Sequence, residues 1–230
     1  MFPKPAKMSS CCVSTSLFMP IGCPNKYSQT YCVIPQSMHL LPGYDCLIYH
    51  DDSVPQGMLD KLSEYPCVKL IKMPTSIGRS GCFWRYLAYD EYDLCLFRDI
   101  DIAIEENDRF ILDHFQLSER DLFWAFIVHA RKAQLGQGFV MGGIWGIKKN
   151  AHIISMQKLI DDWTSQDVYG QDEIFLSHVI WKQQPSVAYY EPCPIVKNAV
   201  RVPIAHQQET YVELPCDYKL GAYNKDYPSL

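Results

Sequence analysis

At 230 residues the chain has room for one full-sized domain with its own core. Hydrophobic residues make up 48% and charged residues 20%, and the net charge of −5 carries no basic run, which argues against a nucleic-acid partner. No stretch of about 18 apolar residues occurs, so no transmembrane helix is expected, and the N-terminal region, broken by Ser, Thr and Pro, does not read as a secretory leader.

Taken in chain order, SCCVSTSLF (10–18) reads as a first strand that leads into a loop rich in Gly, Pro and Asn, PIGCPNKY (20–27). After an irregular or helical connection, DCLIYH (45–50) is a second strand ending in Asp51-Asp52. Residues 55–64 predict a short helix with Pro near its start, and CVKLIKM (67–73) a third strand. Ser80 is placed to cap a helix in which Phe83, Trp84, Leu87 and Ala88 share a face. LCLF (94–97) is a fourth strand. Residues 108–115 predict a helix, LFWAFIV (122–128) a strand, and 144–147 a short strand inside the Gly-rich stretch GQGFVMGGIWGIKK. Asn150 is placed to cap a helix carrying Ile153, Met156, Ile160 and Trp163 at helical spacing, and YGQDEIFLSHVIW (169–181) predicts a further helix. The tail, rich in Pro and Tyr, has no predicted element.

Strands that alternate with helices imply an α/β fold with a largely parallel sheet and helices on its faces, in which ligands sit beyond the carboxyl ends of the strands. The ten cysteines fit this reading. Cys12, Cys46, Cys67 and Cys95 lie inside apolar runs, and no CxxC pair or zinc-like Cys/His spacing occurs, so they read as reduced core thiols of a cytosolic protein.

The strongest chemical signal is Asp99-Ile100-Asp101, which directly follows the fourth strand. In extended backbone, residues i and i+2 point the same way. Asp99 and Asp101 are therefore expected to project together. Two hard oxygen donors suit Mg²⁺ or Mn²⁺, and such an ion suits a diphosphate. Asp51 and Asp52 end another predicted strand and are expected in the same crevice, as acceptors for a base or ribose or as an Asx turn.

The stretches FWRYLAYDEYDLCLFRDIDIAI (83–104), GGIWGI (142–147) and YGQDEIFLSHVIW (169–181), in that order, resemble a GT-A glycosyltransferase with a DxD motif. The likeness is to the small nucleotide-sugar transferases of chlorella-type large DNA viruses and spans about residues 10–215. It implies one GT-A (Rossmann-like) catalytic domain with a central, mostly parallel mixed sheet flanked by helices: a nucleotide-sugar-binding half at about 10–105, an acceptor-side half at about 106–215, and a tail at 216–230. It also implies a viral protein acting in the host cytoplasm. The activity implied is metal-dependent sugar transfer from a nucleoside diphosphate donor, UDP by resemblance, to a saccharide or glycoprotein-glycan acceptor.

The residues make chemical sense for that activity. Asp99 and Asp101 would hold Mn²⁺ or Mg²⁺ against the leaving diphosphate, with Ile100 between them at the donor. An Arg fork matches phosphate oxygens, so Arg79, Arg85 and Arg98 are donor-site candidates, Arg85 foremost because the resemblance places its helix near the donor. Arg98 can instead hold the carboxylates ionised, or pair elsewhere on the surface. Ser14 and Thr15 end the first strand and are candidates for the nucleotide pocket or plain strand hydroxyls. Gly142 and Gly143 allow a close backbone approach to a ligand, and Trp145 offers a flat face to a sugar or fills the core. Inverting transfer needs a carboxylate to take the acceptor's proton, a role expected of Asp172, with Glu173 as the alternative, in the first turn of the 169–181 helix. His206 is a candidate third metal ligand or an ordinary histidine. Competing readings are a HAD-type or other DxD phosphohydrolase, a nucleotidyltransferase and a non-catalytic sugar-binding relative. The mid-chain position of the Asp pair weighs against the first, and the acidic start of the 169–181 helix against the last.

Overall fold

In the computed structural model, β-branched and aromatic runs at 11–17, 45–50, 68–72, 94–98, 122–125 and 144–148 pair into one sheet, which two later strands extend. The structure describes residues 10–19, 27–75, 79–125, 142–149, 153–163, 168, 170–180, 183, 187–191 and 209–213. The strands are β1 Cys11–Leu17, β2 Asp45–His50, β3 Val68–Lys72, β4 Leu94–Arg98, β5 Leu122–Ala125, β6 Ile144–Lys148, β7 Val187–Glu191 and β8 Glu209–Glu213. They form an eight-stranded sheet in the order β3-β2-β1-β4-β6-β5-β7-β8. The β3/β2, β2/β1, β1/β4, β5/β7 and β7/β8 pairs are parallel, while β6 runs antiparallel to both β4 and β5. The sheet is thus mixed and mostly parallel, and helices flank it, as the alternating pattern implied. The reversal at β6 and the strands β7 and β8 were not legible in the pattern.

The helices are α1 Val33–Ser37, α2 Gln56–Ser63, α3 Glu106–Leu117, α4 Met156–Asp161 and α5 Gln171–Phe175, the last continued by a π turn over Leu176–Ile180. Period-two alternation sends side chains to both faces of the sheet. Val13, Cys46, Ile48, Leu94 and Leu96 pack on one side with α3 residues Ile111, Leu112 and Phe115. Cys12, Leu47, Tyr49, Cys95 and Phe97 pack on the other with Tyr86, Trp145 and Phe175. Cys12, Cys46 and Cys95 are buried thiols, as expected, Cys67 is only partly buried, and none of these four is in a disulfide. Among the described residues no helix is long and apolar enough to cross a membrane.

The segment after β3 departs from expectation. Ser80–Asp90 is an 11-residue 3₁₀ helix, and Ser80 lies inside it without capping it. A 3₁₀ helix has three residues per turn, and runs beyond three or four residues are uncommon. Period three gives three stripes here. Phe83, Tyr86 and Tyr89 are buried in the core, Cys82, Arg85 and Ala88 form a second stripe, and Trp84 and Leu87 lie half-exposed on the third. The α-helical face expected for Phe83, Trp84, Leu87 and Ala88 is therefore split. Further on, Ser155 caps α4 by accepting from the Lys158 N–H at 3.2 Å, and Asn150 lies outside the described residues.

Arg98 also behaves differently from its sequence reading. It shares the face of Leu94 and Leu96, is fully buried, and forms an ion pair with Asp108 of α3. The second oxygen of Asp108 accepts from the Glu105 N–H at 2.8 Å, so one carboxylate ties β4 to the start of α3. Removing one partner of a buried ion pair leaves an uncompensated charge. Asp108→Ala is expected to lower stability by about 3–5 kcal/mol, read from urea denaturation, and the paired change Arg98→Met with Asp108→Leu to recover much of it. Equal stability for Asp108→Ala and the unaltered chain would contradict a structural role for the pair.

Candidate functional site

The site is organised from the backbone of the 3₁₀ helix outward. Ser14 and Ser16 lie on one face of β1, and both reach Arg85: its N–H donates to Ser16 Oγ at 3.0 Å, and its C=O accepts from Ser14 Oγ at 2.6 Å. This fixes the residue at both ends of its own backbone and sends its side chain along the carboxyl end of β4. There Arg85, 4% exposed as a residue, bridges two carboxylates with its guanidinium. Nη1 pairs with Asp99 Oδ1 and also donates to the Arg98 C=O at 3.3 Å, while Nη2 pairs with Asp172 Oδ2 at 2.5 Å. Burial opposes the charge, but Tyr86 beneath it, Asp99 and Asp172 outweigh burial and hold the guanidinium pKa well above its ordinary value. The Tyr86 ring lies 5.3 Å under the guanidinium carbon, and burial pushes its phenol well up.

The two carboxylates differ in exposure. The Asp99 side chain is 48% accessible and that of Asp172 15%. Asp172 enters the site in the first turn of α5, which begins directly after Gly170 at φ +78°, a left-handed conformation that non-glycine residues rarely adopt. Over both carboxylates runs the backbone of Gly142 and Gly143. A Cβ on Gly142 would lie 2.9 Å from Asp172 Cγ and 3.0 Å from Arg85 Nη2, and a Cβ on Gly143 would overlap the Asp99 carboxylate. These glycines were expected to admit a ligand. What their backbone approaches in the structure is the Arg85 triad itself.

Asp99, Asp172, Arg85, Gly142 and Gly143 are therefore brought together, and the remaining candidates are placed as follows. Asp99 and Asp101 do not share an extended segment. The Ile102 N–H donates to the Asp99 C=O at 3.1 Å, so the pair flanks a turn, with Ile100 buried between them in the core. Ser14 anchors the Arg85 backbone. Thr15 points to the opposite face, buried, and its hydroxyl has no hydrogen-bond partner among the described residues. Asp51 is buried and accepts from the Ser53 N–H at 3.0 Å and from its hydroxyl, which is the Asx-turn reading. Asp52 is exposed and pairs with Lys72 at 2.8 Å. Arg79 is exposed at the start of the 3₁₀ helix, and Glu173 is half-buried beside Asp172. Arg98 is committed to Asp108 inside the fold, which leaves a donor-site role without a path. Trp145 is fully buried, 4.5 Å from Phe97 and 5.4 Å from Tyr86 between ring centroids, and so fills the core and offers no face to a sugar. His206 lies outside the described residues. Ser16 was missed, although its period-two relation to Ser14 inside an apolar strand was a usable signal.

No group of three metal-ligating side chains occurs among the described residues. As residue types, Asp99 and Asp101 would suit a different donor set, that of an ion taking one or two carboxylates from the protein and the rest of its oxygens from phosphates and water. The Asp99 carboxylate is half-exposed, with Oδ1 on Arg85 and Oδ2 toward the Gly143 backbone.

No family profile matches the chain, and no curated protein does. Solved structures do. The 4-diphosphocytidyl-2C-methyl-D-erythritol synthase of Anaerococcus prevotii matches over 79% of this chain and 86% of its own, at 8% identity and a TM-score of 0.50. The mannosyltransferase PcManGT of Pyrobaculum calidifontis, solved with GDP-Man and Mn²⁺, matches over 80% and 54%, at 10% identity and a TM-score of 0.49. Residues 1–349 of S. aureus TarS match over 52% and 36%, at 12% identity and a TM-score of 0.40. The chain thus spans 54% of the mannosyltransferase chain and 36% of the TarS one. At these identities the likeness is one of fold.

Because the glycine pair runs against charged groups that are themselves held, Gly143→Ala and Gly142→Ala are each expected to destabilise by about 1–3 kcal/mol through overpacking. Gly57→Ala, on α2 with nothing within 4 Å of its Cβ, is expected instead to stabilise by up to about 1 kcal/mol. Thermal denaturation of the three variants separates the two cases, and a neutral Gly143→Ala would remove the steric argument.

Proposed function

We propose that this chain is a glycosyltransferase that moves a sugar from a nucleoside diphosphate donor to a saccharide acceptor with inversion. The observation that carries the reading is the convergence of Asp99, Arg85 and Asp172 beyond the carboxyl end of β4, with a half-exposed and a mostly buried carboxylate on either side of one cation.

Asp99 and Asp101 would hold a divalent cation, Mn²⁺ or Mg²⁺, which when bound supplies Lewis-acid stabilisation of the negative charge that develops on the departing diphosphate. The donor sugar would lie beside the Arg85 bridge, with its anomeric carbon toward Asp172. The acceptor hydroxyl oxygen forms the new bond to the anomeric carbon as the bond to the diphosphate oxygen breaks. Asp172 Oδ takes the hydroxyl proton, which makes it the general base. The transition state has the oxocarbenium character of glycoside hydrolysis, so fixed negative charge near the anomeric carbon lowers its energy. Arg85 is assigned a positioning role. With both Nη groups on carboxylates it holds Asp172 at a set distance from Asp99, and it binds phosphate only by giving up one of them. UDP is retained as the nucleotide from the sequence resemblance, and the acceptor is a glycan.

The neighbour with a TM-score of 0.50 is named for a diphosphocytidyl product, so nucleotidyl transfer is the reading to separate. Sugar transfer releases a nucleoside diphosphate, whereas nucleotidyl transfer releases pyrophosphate.

In a screen of nucleotide sugars with Mn²⁺, at least one nucleoside diphosphate is expected to raise the melting temperature, and EDTA to abolish the shift. Absence of any shift would remove the reading, and release of pyrophosphate in place of nucleoside diphosphate would replace it. Asp101→Ala is expected to lose metal-dependent donor binding. Asp172→Asn is expected to keep donor binding and lose transfer by about 10²–10⁴-fold, and undiminished turnover would exclude Asp172 as the base. Arg85→Lys is expected to lower turnover in the same assay, because one ammonium lacks the planar fork that spans two carboxylates.

A further inference from the structure

A second concavity lies on the Trp84 stripe of the 3₁₀ helix. It is a cleft of about 330 Å³, small for a ligand pocket, between the end of β3, the 3₁₀ helix and α4. Its walls are clamped together by Asp90 at the end of the 3₁₀ helix. One oxygen of Asp90 accepts from the Met156 N–H at 2.7 Å and the other from the Gln157 N–H at 2.9 Å and the Ser155 hydroxyl at 3.1 Å. The opening is thus held by a carboxylate seated on the first turn of α4.

The lining has two characters. One is aromatic: Trp84 and Trp163 are both half-exposed. Trp84 is braced edge-on by Phe18 at 5.9 Å and Trp163 by Phe175 at 5.8 Å, so each ring is fixed by packing. The Trp163 indole N–H is itself buried and has no acceptor among the described residues, so what Trp163 offers the cleft is its ring. The other character is polar. Gln157 and Asp161, one turn apart on α4, are exposed on the rim, and the Gln157 amide donates to Asp161 Oδ1 at 2.8 Å. This orients the carboxylate and leaves Asp161 Oδ2 and the Gln157 carbonyl oxygen as acceptors. Ser80 adds a hydroxyl to the lining.

We propose that this cleft is a saccharide-binding site separate from the Arg85 triad. A pyranose ring has a face of C–H groups, which packs on an indole plane, and a rim of hydroxyls, which donate to a fixed carboxylate and amide. A purely apolar ligand would leave the rim groups facing carbon, and an anionic one would meet Asp161. A neutral sugar satisfies both. The binding stands on the cleft alone. Its role, holding a non-reacting part of the acceptor glycan, rests on the glycosyl-transfer reading and uses the principle that binding energy from remote substrate groups serves the reacting centre. The 3₁₀ helix that carries Arg85 forms one wall, and Phe175, which braces Trp163, follows Asp172 by one helical turn.

The test is titration of the full chain with neutral disaccharides (maltose, cellobiose, lactose and diacetylchitobiose), read by tryptophan fluorescence and saturation-transfer NMR, with UDP and GDP plus Mn²⁺ in a parallel arm. A saturable signal with at least one disaccharide is expected, weakened tenfold or more in Trp84→Ala. Because Trp84→Ala can disturb folding, Asp161→Ala with Gln157→Ala, both on the exposed rim, is expected to weaken the same signal threefold or more with an unchanged melting temperature. No signal with any disaccharide, or a signal that survives both sets of changes undiminished, overturns the proposal. Nucleotide binding without disaccharide binding overturns the cleft and spares the transferase reading. The reverse pattern keeps the cleft and removes that reading.

Discussion

The constraint on which the rest of the site depends is that one buried guanidinium must neutralise two carboxylates from distant parts of the chain. A mostly buried carboxylate such as Asp172 is costly without a partner, and so is a lone buried Arg. Arg85 between Asp99 and Asp172 resolves both costs at once. It does so because its fork presents two Nη groups in fixed geometry, which an ammonium does not. The price of this arrangement is a backbone held to narrow tolerance, and much of the neighbouring structure is explained by it.

The 3₁₀ helix is the first consequence. An 11-residue run of this kind is unfavourable on its own. It is held at its middle by Ser14 and Ser16, which bind the C=O and N–H of Arg85 itself. Two buried serines inside a strand of the sheet would be a liability without partners. Here they turn β1 into a fixed support for the guanidinium. The glycine pair is the second consequence. β6 can lie antiparallel beside β4 and still leave room for Asp99 only because residues 142 and 143 carry no side chain.

Much of this fold was legible because its signals are local. Period-two apolar runs located β1 to β4 within about two residues, and the Asp pair marked the carboxyl end of β4. What was not legible depends on distant partners. Arg98 and Arg85 look alike in sequence, both beside apolar residues near the Asp pair. They part because Arg98 shares the parity of Leu94 and Leu96 and so meets α3, whereas Asp99 has the opposite parity and meets Arg85. That parity was available, but the partners Asp108 and Asp172 were not. Likewise Asp51 is spent on a turn with Ser53 that costs no long-range contact, a local outcome that a strand-end aspartate always has open to it. The 3₁₀ geometry was missed for another reason. Phe83, Trp84, Leu87 and Ala88 fit a 3.6-residue period, and only the tethering of Arg85 to β1 favours three.

A period of three also changes what the helix can do. An α-helix with these side chains would bury one face and leave the others for water. At three residues per turn the stripes stay in register for nearly four turns, so each faces one environment throughout. The Phe83, Tyr86 and Tyr89 stripe fills the core, the Arg85 stripe reaches the carboxylates, and the Trp84 and Leu87 stripe lines the cleft with α4. A small rotation of this helix about its axis would move Arg85 and Trp84 together. The two serines resist that rotation from the middle of the helix and Asp90 from its end. The ion triad and the aromatic cleft are therefore two faces of one rigid element, and a change that loosens the element must disturb both.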